Sequence, residues 1–367
     1  MRQSAANVGK LKRGETSVSL GCTLSLDAMG GDHAPGIVLE GVNLARRRHP
    51  SVKYLLFGDS GKLKPYLDKN PEVAALCTLH HTDVAITNED KPSQAVRSGR
   101  ESSMWKAIQA VKAGEAAGVV SAGNTGALMA MSKLTMRTLP GIDRPAICSM
   151  FPNMHGDTVM LDLGANAVCD VRNLVEFAVM GECFAKSMME QGKPRIGLLN
   201  IGSEDRKGTD VLRDAAQVLR DSELDIEFHG FIEGDDIAMG TVDVVVTDGF
   251  TGNVALKTAE GTAKLYSHFL RNAFSSSFLA KFGLLFVRPV LSKVMMRTDP
   301  RRYNGALLVG LNGIAVKSHG GTDSLGFSNA IGVAIDMVTR DLNAQIAEEL
   351  SHLSWDATQS QPLALSE

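Results

Sequence analysis

The chain has 367 residues, 44% hydrophobic and 22% charged, a composition that supports a globular fold and excludes disorder over most of its length. Lys and Arg number 38 against 41 Asp and Glu, and the resulting charge of -3 is too balanced for a nucleic-acid partner. At roughly 150 residues per domain there is material for one large or two medium domains, enough to fold without a disulfide or metal staple.

In chain order, residues 1–21 mix Arg, Lys, Ser, Gly and Asn without a period and read as a disordered tail. Short β-branched or Leu-rich runs at 24–26, 54–57, 118–121, 158–163, 195–201, 226–231 and 242–247 are the predicted strands, and amphipathic helical stretches alternate with them. Runs apolar on both faces that alternate with helices predict an α/β, three-layer fold: a mostly parallel sheet with helices on both faces. Residues 307–309 and 314–316 flank Gly310-Leu311-Asn312-Gly313, a hairpin signal that adds an antiparallel pair. The longest helix signal is C-terminal, through Ile331, Ile335, Val338, Leu342, Ile346 and Leu350, and residues 354–367 read as a second tail. No linker interrupts 22–353, which predicts one two-lobed domain with a continuous sheet.

Five cysteines, Cys22, Cys77, Cys148, Cys169 and Cys183, cannot all pair and contain no C-x-x-C, which predicts buried thiols in a reducing compartment. No apolar h-region follows the basic N-terminal residues, and no run of about 18 uncharged apolar residues exists. A soluble cytoplasmic protein is the expectation.

Ligands of open α/β sheets bind beyond the carboxyl ends of strands. Those positions hold Asp27-Ala28-Met29-Gly30-Gly31-Asp32-His33, Ser121-Ala122-Gly123-Asn124-Thr125-Gly126, Asp162-Leu163-Gly164-Ala165-Asn166, Asn200-Ile201-Gly202-Ser203-Glu204-Asp205-Arg206-Lys207-Gly208, Asp248-Gly249-Phe250-Thr251-Gly252-Asn253 and Lys317-Ser318-His319-Gly320-Gly321. Any one such loop is an ordinary turn or cap. Six together predict a phosphate-handling cleft, because Gly lets backbone approach a ligand and amides at helix N-termini favour anions. Named nucleotide motifs are absent: no G-x-G-x-x-G follows a strand, and Lys207 precedes Gly208, the reverse of the Walker order. No G-x-S-x-G or H-E-x-x-H occurs, and adjacent His80 and His81 would face opposite ways on a strand, so no metal site is predicted.

Residues 274–296 form a second feature, a projecting helical segment with Phe278, Phe282, Leu285, Phe286 and Pro289 on one stripe and Lys281 and Arg288 on another. Such a segment packs on its own body or a sister subunit, or touches an anionic membrane through Phe278, Phe282, Leu284, Leu285, Phe286 and Val287.

Together DAMGGDHAP, SAGNTGALMA, LDLGAN, LLNIGSEDRKGTD, FIEGDDIAMGTVDVVVTDGFTGNVALKTAEG and GLNGIAVKSHGGTDSLGFSNAI resemble the bacterial phosphate acyltransferase (PlsX) family of phospholipid synthesis, over about residues 22–350. The resemblance implies an isocitrate/isopropylmalate dehydrogenase-like fold and transfer of a long-chain acyl group from acyl-[acyl-carrier-protein] to inorganic phosphate. It also implies no cofactor, a homodimer, peripheral attachment to the inner face of the membrane, and a membrane-bound glycerol-3-phosphate acyltransferase that consumes the acyl phosphate. Phosphate is already a competent nucleophile and a thiolate a good leaving group, so position and charge stabilisation suffice. On this reading Asn124, Thr125 and the Gly126 amide hold phosphate with Lys207 as counter-charge. Asn166 and Asn253 polarise the thioester carbonyl, Asp162 and Asp248 orient those donors or take a proton, and His319 stabilises the leaving thiolate. The other expected substrate contacts are Asp27, Gly30, Gly31, Asp32, His33, Ser121, Gly123, Asn200, Gly202, Glu204, Gly249, Thr251, Gly252, Lys257 and Lys317. Alternatives are a phosphotransacetylase-like enzyme using acyl-CoA and a non-catalytic scaffold for carrier protein at membranes. A nicotinamide-dependent dehydrogenase would need clustered carboxylates and a nucleotide loop, and neither is found.

Overall fold

The computed structural model describes residues 22–189, 192–297 and 299–352. The two predicted tails, 1–21 and 354–367, lie outside the described residues. Eleven strands form one ladder: β1 (Thr23–Asp27), β2 (Lys53–Gly58), β3 (Cys77–His81), β4 (Gly118–Ser121), β5 (Ala146–Pro152), β6 (Asp157–Leu161), β7 (Arg195–Leu199), β8 (Glu227–Ile232), β9 (Val244–Val246), β10 (Ala306–Val309) and β11 (Ile314–Lys317). Their order is β3-β2-β1-β4-β11-β10-β5-β6-β9-β7-β8.

Alternation along each strand builds two cores. Leu24, Leu26, Val120, Leu161, Ile196 and Val244 face one way, into a layer with helices Gly36–Ala45, Val171–Met189 and Ser324–Thr339. Val119, Ile147, Met160, Val245, Leu308 and Ala315 face the other, with Ser103–Lys112 and Thr125–Met136. Ser25 is fully buried within this apolar run because its hydroxyl donates to the Ala107 carbonyl at 2.7 Å. The three-layer, mostly parallel sheet predicted from the sequence is the observed fold.

Direction along the ladder is the feature that positions the site. β10 pairs antiparallel with both β11 and β5, so β5 runs with β11 and β4. β6 then pairs antiparallel with β5, and β9, β7 and β8 follow β6. The register then brings the ends together: Lys317 pairs with Ala306, Leu307 with Cys148 and Ser149 with Met160. The carboxyl ends of β1, β4 and β11 and those of β6 and β9 therefore arrive from opposite directions at the same level, separated by β10 and β5. The six exits, expected to be equivalent, are thus two groups of opposite strand direction that face one another across β10 and β5.

Two further expectations change. The C-terminal pattern is broken into Ser324–Thr339 and Leu342–Leu350 by Asp341, whose φ of 49° is left-handed. Val338 and Leu342 keep the period across that break, which is why it reads as one helix. The longest described helix is Gly249–Ser275, which turns at Ser276 and Ser277 into Phe278–Arg297. The projecting segment is thus a hairpin beginning at Gly249. Its tip is the Ser turn, where the Ser276 hydroxyl donates to the Ala273 carbonyl and Ser277 caps the next helix through the Ala280 amide. Phe282 and Phe286 sit one to two turns behind the tip, exposed, with ring centroids 5.4 Å apart, and Val287 is exposed beside them. Leu284 is half-buried. The side chains of Phe278, Lys281 and Leu285 lie outside the described residues.

Candidate active site

The first group of loops is built on Asp27. Its carboxylate is 1% exposed and accepts from the hydroxyls of Ser103 at 2.6 Å and Ser121 at 2.7 Å, and from the Met29 amide at 3.4 Å. Burial pushes the Asp27 carboxyl above the usual carboxylate range against the lowering effect of those hydroxyls. Gly30 is required here: a Cβ would sit 2.4 Å from Asp27 Oδ2 and 2.7 Å from the Gly123 amide. Gly31, at φ 104°, brings the chain beside the Gly320 carbonyl, which accepts from the Asp32 amide at 3.0 Å. Loops 27–33, 121–126 and 317–321 are thereby one unit, with His33 exposed at its edge.

Lys317 ends β11 beneath this unit. It is 8% exposed, and its ammonium donates to the carbonyls of Ala122, at 3.4 Å, and Ser318. Burial pushes its pKa down to about 8, opposed by the charges of Asp27 and Asp32. His319 is held by its amide on Asn304 Oδ1 at 2.8 Å, while its Nδ1 accepts from the Gly321 amide at 3.3 Å. That acceptor role leaves the proton of the neutral ring on Nε2. Burial first, then the charge of Lys257, lowers the His319 pKa and favours that neutral ring.

Asn124 caps helix Thr125–Met136 through the Ala127 amide at 3.0 Å, and its Nδ2 is shared among the carbonyls of Thr87, Asn88 and Asp90. This side chain fastens a loop. The open donors are the amides of Thr125 and Gly126, which have no hydrogen-bond partner among the described residues.

The second group approaches from the opposite strand direction, across β10 and β5. Asp162 is fully buried and accepts from the amides of Ile147, Gly164, Ala165 and Asn166 and from Asn166 Nδ2, all between 2.7 and 3.1 Å. Asn166 Nδ2 also donates to the Pro145 carbonyl at 2.8 Å. Asp248 caps helix Gly249–Ser275 through the Thr251 amide and hydroxyl, both at 2.8 Å. Gly249 and Gly252 let that helix meet the 162–166 loop: a Cβ on Gly252 would lie 1.9 Å from the Asp162 carbonyl oxygen. Asp162, Asn166, Asp248 and Thr251 therefore shape the loops. Asn253, exposed at the helix start beside Gly164, has no side-chain hydrogen bond among the described residues. Asn200 holds its own loop through the Lys207 carbonyl and the Ile201 amide. Lys207, beyond Gly202, is exposed and 3.9 Å from Glu204. No described contact brings it to residues 121–126.

Helix Gly249–Ser275 connects the groups. Asn253, Lys257, Glu260 and Lys264, spaced four, three and four apart, share one face. The charges of both Lys257 and Lys264 are felt at His319. Sequence reasoning missed Ser103, Asn88, Asn304 and Lys264. Asn88 donates to Asp32 at 2.7 Å, and Asn304 Nδ2 holds the Ser318 hydroxyl at 2.8 Å. Ser103 reads only as a helix-start residue, and Asn304 lies in no recognisable motif.

The thiols are unsuited to attack. Burial raises all five, with Cys77, Cys169 and Cys183 pushed up to about 12. Cys77 and Cys169 are half-buried rather than fully buried.

A sheet covered by helices on both faces is a fold shared with solved structures. Phosphotransacetylase structures from Streptococcus pyogenes (TM-score 0.58, 16% identity, 88% of this chain and 96% of that one) and Staphylococcus aureus (EutD; 0.56, 16%, 86% and 94%) have this fold. Residues 22–345 match the fatty acid synthesis protein family, and the chain belongs to it. Proteins called phosphate acyltransferase are similar along nearly the whole length. That of Paramagnetospirillum magneticum is 62% identical, covering 92% of this chain and 96% of its own. That of Rhodospirillum rubrum is also 62% identical, covering 89% and 94%.

Proposed function

We propose that this protein transfers a long-chain acyl group from the thioester of an acyl-carrier protein to inorganic phosphate, releasing acyl phosphate and the carrier thiol. The carrying observation is Lys317: a buried ammonium beneath the loop whose Thr125 and Gly126 amides are open, in a chain whose thiols are all held protonated. Phosphate rests on those amides, with Lys317 supplying the positive field. A phosphate oxygen attacks the thioester carbon, and the C–S bond breaks with its electrons on sulfur. The neutral His319 ring steadies the departing sulfur by an Nε2–H hydrogen bond, and the proton lost by the attacking hydrogen phosphate ends on that sulfur as the carrier thiol. Asn253 and Lys257, on the facing helix, orient the thioester. Asp27 and Asp162 hold loops and exchange no proton. No residue acts as acyl acceptor, so both substrates are bound together. Replacing all five cysteines with Ala or Ser should leave substantial turnover, and an acyl-enzyme trapped by mass spectrometry would refute direct attack.

The hairpin supports the remaining roles. Leu265, Tyr266, Phe269, Phe282, Phe286 and Val290 are each more than half exposed, a patch that soluble monomers rarely carry. We assign it to a homodimer contact along the arms and to an anionic membrane surface near the tip. Among the described residues no helix is long and apolar enough to cross a membrane. Attachment at the inner face would deliver acyl phosphate to a membrane-bound glycerol-3-phosphate acyltransferase. The fold shared with phosphotransacetylases favours one second reading, an acyl-CoA donor, and comparing donors at equal chain length decides between them.

A further inference from the structure

Charge is distributed unevenly along the chain. Residues 249–297 hold seven Lys and Arg against one acid, Glu260, although the whole chain carries -3. Within helix Gly249–Ser275 the cations Lys257, Lys264 and Arg271 recur every seven residues, so they lie on nearly one line. At about 1.5 Å per residue that line is roughly 21 Å long. All three are exposed, and among the described residues Lys264 and Arg271 form no ion pair, while Lys257 meets only Glu260 at 2.8 Å. The line continues from Asn253, and its first two charges act on His319, so it leads out of the candidate site.

We infer that this face of helix Gly249–Ser275, from Lys257 through Lys264 to Arg271, is the docking track for an acidic carrier protein that brings the acyl thioester. The inference rests on the phosphate acyltransferase reading above. Single charges about 10 Å apart match carboxylates one heptad apart on an acidic helix. They are too widely spaced for one phosphate or for the clustered phosphates of a coenzyme. A membrane plane would engage the hairpin tip rather than a line that begins beside His319. A carrier seated on the line places a flexible thioester arm along Asn253 and Lys257, toward the phosphate loop. Docking by exposed charges acts mainly on encounter and is weakened by salt.

The test is Lys264→Glu with Arg271→Glu in the full chain, with Lys264→Gln and Arg271→Gln as a milder second variant. Two donors are compared, a palmitoyl thioester of an acidic acyl-carrier protein and palmitoyl-pantetheine, with phosphate saturating. The expected result is a rise of about tenfold in the ratio of carrier KM to pantetheine KM, with the salt dependence of the carrier KM flattened. An unchanged ratio in a folded variant overturns the proposal. So does release from anionic vesicles with the ratio unchanged, which would give the stripe to the membrane. If the parent makes no acyl phosphate from either donor, the enzymatic reading fails by itself. Fluorescence anisotropy of labelled carrier, without turnover, then still decides docking: equal affinity for parent and charge-reversed variant would overturn it.

Discussion

Asp27→Ala removes the acceptor shared by Ser103, Ser121 and the Met29 amide, and takes away the acid whose charge acts most strongly on Lys317. Each hydrogen bond to a buried charged group contributes about 1.5–3 kcal/mol, so the two hydroxyl bonds together contribute about 3–6 kcal/mol. With a urea m-value near 3 kcal/mol/M, the midpoint should fall by about 1–2 M. Asp27→Asn keeps the volume and part of the network, so a smaller fall is expected. Asp27 raises the Lys317 pKa toward its ordinary value, so removing its charge lowers that pKa below about 8. If phosphate requires the ammonium, the alkaline limb of kcat/KM for phosphate in folded Asp27→Asn moves to lower pH. A midpoint within roughly 0.2 M of the parent in Asp27→Ala, or an unmoved alkaline limb in Asp27→Asn, would refute the keystone role.

Lys317 also makes stability depend on pH. Its folded pKa, about 8, lies below its ordinary 10.5, so the unfolded chain binds the extra proton between them. The cost of burying the charge is complete below pH 8 and is relieved as pH rises toward 10.5. Urea midpoints should show this gain in the parent and lack it in Lys317→Met. Lys317→Met should weaken phosphate saturation by about ten- to a hundredfold, and more than Lys207→Ala does; the reverse ranking would return the anion to the 200–208 loop. At the hairpin, Phe282→Glu with Phe286→Glu should abolish sedimentation with anionic vesicles, since each buried Phe contributes about 1.5–3 kcal/mol. Loss of the dimer in the same variant would instead make these rings subunit contact.

The loops were legible because Gly, Asn and Asp after an apolar run have few other reasons to recur. Their grouping was not, and the cause is β5. Ala146–Pro152 carries Ser and a terminal Pro and follows Arg144-Pro145, so it shows no clean strand period. Without it the antiparallel step between β5 and β6 is invisible, and six exits look equivalent. β3, Cys77–His81, was missed because it is half-buried and polar; His80 stacks on Phe57 at 4.7 Å while His81 accepts from the Ser60 amide. Site residues such as Asn124 and Asp162 were found by type, but type does not reveal that their hydrogen bonds close their own loops. Asn304 and Ser103 act from outside every motif.

The most direct measurement mixes the purified full chain with a palmitoyl acyl-carrier thioester, with and without phosphate, following free carrier thiol and acyl phosphate trapped as hydroxamate. Thiol release should require phosphate and match acyl phosphate one for one. Thiol release without phosphate, or acyl group retained on the protein, would contradict direct transfer.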